Sequence, residues 1–278
     1  MDRTTEEDPP ATPVRRSKRP ARHGGDRATA ESVPGECYES GAVSPRRANP
    51  EARPALIDVA ARLLAESGPH ALSARRIAAE VGSSTMAVYT HFGGMGGLVR
   101  EMVHEGFARL QRYMTSVSAT DDPVADMALL GRAYRHNAMM NPHLYAVMFG
   151  ASSLAGFSVD DRDRQYGRYT LVNVVECARR CIAAGRFRAA PTELVAHQMW
   201  SGTHGHVTLE LGGYLVDPWP ADHYFDVQLT GLMVSAGDTF DAAGRSVSAS
   251  LSRLKNEVSD PQGPAGDDTG RKRAGYPE

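Results

Sequence analysis

Residues 72–92 read LSARRIAAEVGSSTMAVYTHF, and this stretch decides the fold of the chain. Ser73 is placed to cap a helix over residues 74–81, because its hydroxyl can accept a hydrogen bond from a backbone N–H of the first turn. Gly82 supplies the left-handed residue that ends such a helix. A second short helix over residues 85–90 follows almost at once. The sequence therefore predicts a helix-turn-helix, whose tight turn makes the two helices cross steeply.

The second of these helices divides into an inner and an outer side. Val88 and Phe92 lie four residues apart and are expected to face the core, which leaves Tyr89 and its polar neighbours outside. An exposed Tyr suits a phosphate, while Thr and Met suit base edges and thymine methyl groups. The residues expected to contact DNA are Ser73, Arg75, Ser84, Thr85, Met86, Tyr89, Thr90 and His91. The alternative for this pattern is an ordinary helical hairpin inside a core.

The stretch from residue 53 to residue 100 resembles the TetR/AcrR family of regulators. The matching residues are Ala60-Ala61-Arg62-Leu63-Leu64, Gly68, Leu72-Ser73-Ala74-Arg75-Arg76-Ile77-Ala78, Val81-Gly82-Ser83-Ser84 and Val88-Tyr89-Thr90-His91-Phe92, with the Tyr-x-His-Phe ending the most specific. The resemblance implies a helix-turn-helix head on a helical body that dimerises and encloses an effector pocket. One departure is Met95, which stands where the family often has a Lys that contacts phosphate.

The composition argues against a membrane protein and against a strongly basic DNA-coating protein. The net charge is −2, and residues 51–100 hold five Arg against four acidic side chains, a net charge of +1. Nonspecific DNA affinity of this part should therefore be modest. No apolar run approaches the roughly 18 residues of a membrane span. The three cysteines are few and odd in number, which is typical of a cytoplasmic protein.

Four regions are predicted along the chain. Residues 1–50 are rich in Pro, Gly, Ser and charge, which indicates a disordered tail, and residues 244–278 look like a second one. Residues 51–98 are the DNA-binding domain, and residues 99–243 are the effector-binding and dimerisation domain. The basic side chains between residues 15 and 27 either follow the DNA backbone as an arm or remain solvated.

Between the two tails, apolar periodicity predicts about nine helices and no strand, which is an all-α fold. The number agrees with what the resemblance implies. The later helices are expected over residues 98–115, 122–141, 143–154, 160–184, 192–215 and 221–243.

Apolar and aromatic residues in the second half are expected to line an effector pocket, as the resemblance implies. Flexible Met side chains and aromatic rings with polar tips make an adaptable lining. The expected pocket residues are Met139, Tyr145, Met148, Phe149, Tyr169, Val172, Trp200 and His204. For each of them alone, plain core packing is the alternative.

Residues 199–206 read MWSGTHGH and are similar to the Trp/His/Gly (WHG) C-terminal domain of one branch of the family. Each Gly inside a helix costs about 0.5–1 kcal/mol relative to Ala, so their number here predicts close packing against a helix or a partner subunit. His204 and His206 would point about 200° apart on a helix, so we expect no metal and no cofactor. Cys177 and Cys181 would sense oxidation only if exposed; otherwise they are small core residues.

The dimer interface is expected on the last two long helices. An apolar stripe on residues 221–243, paired with the helix over 192–215, would form a four-helix contact across a two-fold axis. The interface residues expected are Gly205, Leu209, Phe225, Leu229, Leu232 and Phe240.

These observations predict a homodimeric, ligand-responsive transcriptional repressor without catalytic activity. It would leave a palindromic double-stranded DNA operator when a small apolar effector binds. Two alternatives stay open. The first is an architectural DNA-binding protein that uses the basic tail and has no effector. The second is a metal-dependent enzyme built on the His- and Asp-containing body, for which the sequence offers no ordered metal spacing, nucleophile motif or phosphate loop.

Overall fold

The computed structural model describes residues 52–149 and 161–258, and within these ranges the chain forms ten α-helices and no strand. They are α1 (Ala52–Ser67), α2 (Ala74–Val81), α3 (Thr85–Phe92), α4 (Met95–Thr115), α5 (Pro123–Met140), α6 (Pro142–Phe149), α7 (Asp161–Ala183), α8 (Thr192–Leu211), α9 (Ala221–Ala236) and α10 (Phe240–Glu257). The predicted all-α fold is confirmed, with one helix more than expected. The predicted tail over residues 1–50 lies outside the described residues.

Local signals shape the helix-turn-helix as the sequence predicts. The Ser73 hydroxyl accepts a hydrogen bond from the backbone N–H of Arg76 at 3.3 Å, and Gly82 ends α2 in the left-handed region with a φ of 69°. Ser84 occupies the N-cap position of α3, but its side chain makes no capping hydrogen bond. The Ser84 side chain therefore stays on the exposed surface.

A small apolar core holds α1 to α4 together. Leu56, Ile57, Ile77, Val88 and Leu98 come from all four helices and are completely buried. Burial of one such side chain stabilises a fold by about 1.5–3 kcal/mol. This core fixes α3 by its inner side and leaves its other side to solvent.

Helix α5 is the central element of the body and packs against α4, α7, α8 and α10. It begins at Pro123, and the Asp122 carboxylate caps it by accepting from the N–H groups of Val124 and Ala125, both at 3.1 Å. Pro suits the first turn because its missing N–H would have no partner there. Thus the start of α5 is fixed firmly, and its side chains are buried around most of the helix.

The C-terminal part differs from the prediction of one helix over 221–243 followed by a tail over 244–278. Helix α9 ends at Ala236, the chain turns at Gly237 with a φ of 127°, and α10 then runs from Phe240 to Glu257. Its buried face consists of small or polar residues, namely Ala243, Ser246, Val247 and Ser250. Such residues resemble loop composition, which is why apolar periodicity did not reveal α10. Residues 259–278 lie outside the described residues.

An ion pair and hydrogen bonds to side chains of α5 hold α10 in place. The Asp126 carboxylate of α5 is 2% exposed and accepts from the guanidinium groups of Arg180 at 2.8 Å and Arg253 at 2.6 Å. Arg132, also on α5, donates to Ser250 of α10 at 2.8 Å and to Asp226 of α9 at 2.7 Å. Because each guanidinium is paired and hydrogen-bonded, these charges are tolerated inside the protein.

The described ranges lack two features of other classes of protein. None of the helices described is both long and apolar enough to cross a membrane. No group of three or more His, Cys, Asp or Glu side chains in these ranges is arranged to hold a metal ion. Cys177 and Cys181 are free and buried, and the neighbouring Cys181 thiol together with burial raises the pKa of Cys177. A buried thiol held in its protonated form is a poor oxidation sensor.

Candidate nucleic-acid interface and internal cavity

The outer side of α3 presents four side chains to solvent, which we call the reading face: Thr85, Met86, Tyr89 and Thr90. Met86 is 63% exposed and Tyr89 is 53% exposed. Val88 and Phe92, on the inner side, are 0% and 9% exposed. The division into two sides matches the prediction, and the residues of the reading face stay predicted DNA contacts.

The other four predicted DNA contacts surround this face. Ser73 and Arg75, at the start of α2, are exposed, as is Ser84 before α3. His91 is half-buried and its ring lies 6.0 Å from that of Phe92. All four are accessible, so none conflicts with its predicted role.

The start of α4 lies beside the reading face. Gly94 precedes α4 with a φ of 124°, and a Cβ at this position would lie 3.8 Å from the Tyr89 ring. Gly97, in the first turn, packs so tightly that a Cβ would overlap the Phe92 carbonyl oxygen. The first turn of a helix carries backbone N–H groups without helical partners, and these suit an anion. The backbone N–H groups at the start of α4 therefore lie near Tyr89, in the part of the helix where the family often has a Lys.

The body contains a partly open cavity of about 30 Å³ between α4, α5, α7, α8 and α9. Its lining residues are Leu110, Met114, Met127, Leu130, Gly131, Tyr134, Thr170, Leu171, Val174, Met199, Trp200, Thr203, Leu229, Leu232 and Met233. Drug-sized ligands need roughly 300–1,000 Å³, so a larger molecule enters only if side chains move. Four Met side chains make such movement cheap, because Met is unbranched and polarisable.

A polar trio lies at the edge of this cavity and consists of Tyr134, Tyr145 and His204. The two hydroxyl oxygens lie 2.8 Å and 2.7 Å from the same ring nitrogen, His204 Nδ1, and 3.3 Å from each other. Burial raises the pKa of both tyrosines and lowers the pKa of His204. All three groups are therefore uncharged near neutral pH. The rings of Phe149 and Trp200 lie 4.6 Å and 5.8 Å from that of His204.

The eight predicted pocket residues are thus only partly brought together. Trp200 lines the cavity, while Tyr145, Phe149 and His204 cluster beside it. Met148 packs against Gly106 of α4, and Met139 is partly buried against the core.

Two pocket predictions are wrong. Tyr169 and Val172 are 58% and 60% exposed, because the buried side of α7 runs through Thr170, Val174 and Cys177 instead. On a helix of 3.6 residues per turn, positions 169 and 172 lie on the opposite side from these.

The predicted dimer residues also divide into two groups. Phe225 and Leu229 are 0% and 1% exposed within the single chain, so their assignment to a subunit interface is wrong. Leu232 lies between α9 and α8, where a Cβ at Gly202 would be 2.8 Å from its methyl group. This contact confirms the expected close helix packing at Gly202.

The remaining three residues of the predicted interface are exposed. Gly205 has no atom within 4 Å of its Cβ position, and Leu209 is 48% exposed. Phe240 is 73% exposed but belongs to α10, not to a stripe on α9. Of the predicted interface, Gly205 and Leu209 lie together on the exposed side of α8.

Sequence reasoning missed three polar side chains at the cavity, Tyr134, Thr170 and Thr203. Tyr134 lies in the middle of α5, where Met127, Leu130 and Gly131 precede it at helical spacing. The spacing of these residues was a usable signal, because a Tyr on the buried side of a helix needs a polar partner.

Two protein-family models match the chain. Residues 56–102 match the model of bacterial regulatory proteins of the tetR family, and residues 127–232 match that of the tetracyclin repressor-like C-terminal domain. The second description does not mention a Trp/His/Gly branch, so that subtype stays a prediction. No curated protein sequence matches the chain.

Solved structures share the fold. A protein of unknown function from Rhodococcus sp. RHA1 is 24% identical, with a TM-score of 0.59, over 70% of this chain and 100% of its own. PfmR, a TetR family transcriptional regulator from Thermus thermophilus, is 18% identical, with a TM-score of 0.54, over 66% and 99%. A tetR family regulatory protein from Rhodococcus RHA1 is 18% identical, with a TM-score of 0.56, over 69% and 100%. At these identities the similarity shows the fold alone.

Proposed function

The chain belongs to the TetR family of bacterial transcriptional regulators, and from that premise we propose that it is a dimeric repressor released from a palindromic operator by a small effector. The observation that carries the proposal is the reading face. The exposed side chains of Met86 and Tyr89 contribute little to the stability of the free protein, because only the other side of the helix, with Val88, is buried. In the major groove, the same side chains meet thymine methyl groups, base edges and phosphates.

The positioning of the reading helix supports the same conclusion. Tyr89 donates to a DNA phosphate, and the backbone N–H groups at the start of α4 bind a neighbouring one. Thr85, Met86 and Thr90 then contact bases. In this proposal Tyr89 contributes to affinity for any DNA sequence, and the other three residues determine the sequence preference.

Dimerisation uses the exposed sides of α8 and α9, which pack against each other. Gly205 on α8 and Gly231 on α9 both have no atom within 4 Å of their Cβ positions. Leu209 and Val227, which are 48% and 58% exposed, flank them. Small residues allow the backbones of two subunits to approach closely, and the flanking apolar side chains are then buried across the two-fold axis. This surface replaces the interface predicted through Phe225 and Leu229.

Helix α6 provides a path from the cavity to the DNA-binding head. It carries Tyr145 of the polar trio and packs against both α1 and α4. At its start, Asn141 accepts from Arg109 of α4 at 2.8 Å, and Arg109 also contacts Asp58 of α1 at 2.9 Å. An effector that displaces Tyr145 shifts α6 against both helices. The population then moves towards a form in which the two heads no longer fit successive major grooves.

Selection from random duplex DNA with the purified full-length chain tests this proposal. We expect enrichment of a palindrome whose half-sites lie about one helical turn apart. The Met86→Ala variant should enrich a different sequence with the same spacing. Failure to enrich any sequence would contradict operator binding, and enrichment of a single half-site without symmetry would contradict the dimeric arrangement.

A further inference from the structure

The chemistry of the cavity and the polar trio restricts the effector more narrowly than the proposed function requires. Resting on that proposed function, we infer that the effector is an uncharged molecule with an apolar body and one hydrogen-bond acceptor, such as a ketone, ester or lactone oxygen, which accepts from Tyr134. The inference rests on two observations: the absence of charge among the described residues that line the cavity, and the number of hydrogen-bond donors in the trio.

Charge is lacking at the cavity wall. Among the described residues that line it, none is charged, and most are Leu, Met or Val. Arg132, a buried cation of the same helix α5, is already bound to Ser250 and Asp226. A carboxylate or ammonium group in the cavity would be buried without a counter-ion, which is strongly unfavourable. The apolar body of a neutral ligand, in contrast, fits side chains such as those of Met114 and Met127.

The two phenolic O–H groups of the trio compete for one acceptor at short distance, the His204 Nδ1 atom. Tyr134 and Tyr145 both approach His204 Nδ1, at 2.8 Å and 2.7 Å. A neutral imidazole nitrogen has one lone pair and can accept from only one of the two hydroxyls. The other O–H is left with the 3.3 Å contact between the two phenol oxygens, which is long for such a bond. If Nδ1 itself carries the proton, it donates to one phenol oxygen, and the phenol oxygens themselves are then the acceptors left within the trio for the two phenolic hydrogens.

Tyr134 is the donor that faces the ligand. It belongs to the trio and also lines the cavity, whereas Tyr145 and His204 lie behind it. Burial raises its pKa, so it remains a protonated donor throughout the working range of pH. An acceptor atom on the ligand satisfies the excess O–H, and a donor group or an apolar group at the same place leaves it unsatisfied, which is unfavourable.

Three probes of similar shape test this inference by isothermal titration calorimetry with the full-length chain: acetophenone, ethylbenzene and benzoate. We expect acetophenone to bind about tenfold or more tightly than the other two, as one buried hydrogen bond provides. Tyr134→Phe should remove that preference and leave ethylbenzene binding unchanged. Tyr145→Phe should also reduce it, because Tyr134 then has the His204 nitrogen to itself. The matched control is Tyr214→Phe, at a position 74% exposed.

Benzoate binding as tightly as acetophenone, an unchanged preference in both Phe variants, or no binding of any probe at its solubility limit would each overturn the inference. A separate measurement of operator release distinguishes this failure from that of the proposed function. Release by benzoate alone refutes the effector class and leaves the regulator intact. If the ketone binds preferentially but does not release the operator, the binding site is supported and the proposed regulatory response is refuted.

Discussion

Helix α3 of the head exposes its polar side chains, whereas helix α8 of the body also buries two of its own. In α3 the polar residues Thr85, Tyr89 and Thr90 are exposed, and the buried residues are Val88 and Phe92. In α8 the buried side includes Thr203 and His206, while Gly205 and Leu209 face solvent among exposed polar residues. The proposed partner of α3 is therefore polar DNA, whereas α8 faces the core and the cavity on its buried side and is proposed to face a second subunit on its exposed side.

The difference teaches where function must be sought in each part. In the head, the proposed functional residues are the ones that the core does not bury, so they can be identified by their exposure. In the body, they are buried like the core itself and differ from it only in hydrogen-bond capacity. Substitutions in the head should therefore change DNA binding with little effect on folding, and substitutions inside the body should do the reverse.

The largest expected effect comes from a polar group buried in the body. Asp126→Asn should lower the free energy of unfolding by about 3 kcal/mol, because Arg180 and Arg253 are deprived of the carboxylate between them. Denaturant unfolding measures it, with the exposed Asp121→Asn as control, for which we expect less than about 0.5 kcal/mol. A small effect at Asp126 would break the contrast between body and head.

The same carboxylate gives this prediction a pH dependence. Burial alone would raise the pKa of Asp126, but hydrogen bonds from Thr120, Arg253 and Arg180 outweigh it and lower the pKa. The stabilisation is therefore complete above the unfolded pKa of about 3.9 and is lost as the pH falls through the folded value. The difference between wild type and Asp126→Asn should shrink in acid, and a difference that grows there would refute the assignment.

The next effect tests the apolar side of α8. Gly205→Glu should leave the protomer folded, because nothing lies near its Cβ position, yet it should produce a monomer. Operator affinity should then fall by about a hundredfold or more, since both heads no longer bind together. Analytical ultracentrifugation and DNA titration measure the two results. The control is Gly244→Glu on α10, which also has an open Cβ position; a dimeric Gly205→Glu protein would move the interface elsewhere.

A smaller effect is expected at the reading face. Tyr89→Phe should weaken binding to every DNA sequence by about tenfold, which corresponds to one hydrogen bond to a charged phosphate. Thr85→Ala should instead change the preference among operators. Neither should alter the unfolding temperature noticeably. If both variants lost the same affinity for every DNA sequence, the assignment of Tyr89 to phosphate and of Thr85 to bases would be wrong.

The smallest effect concerns the basic tail, which lies outside the described residues. Deletion of residues 1–48 should flatten the salt dependence of DNA binding by about 0.9 in the log–log slope for each phosphate that the tail no longer neutralises. Titrations between low and moderate salt measure this slope. An unchanged slope would leave the tail solvated and assign all DNA contacts to the head.

The head could be predicted closely because its signals are local. Ser73 and Gly82 each act within one turn of their own position, and the inner and outer sides of α3 follow from helical spacing alone. The body could not, because its determinants are distant in sequence. Arg132 holds α10 through Ser250, and Tyr134 meets His204 from another helix. Neither contact can be recognised from the pattern of residues that are close in sequence.

The same reason explains the two wrong interface residues. Phe225 and Leu229 form an apolar stripe, and apolar periodicity shows that a stripe is buried without showing by what. Here the covering residues belong to the same chain, as the packing of α9 against α8 and α5 shows. The interface that we propose instead contains the exposed glycines at 205 and 231.

The close packing of Gly97 on the Phe92 carbonyl oxygen has a consequence for engineering. Because there is no room for even one methyl group between them, we expect α3 and the first turn of α4 to move as one rigid unit. Sequence preference and half-site spacing are then independent variables. Under the proposed function, libraries at Thr85, Met86 and Thr90 should retarget the protein to new operators without altering the distance between the two heads. Any side chain introduced at position 97 should instead change that distance and leave the base preference of α3 as it was.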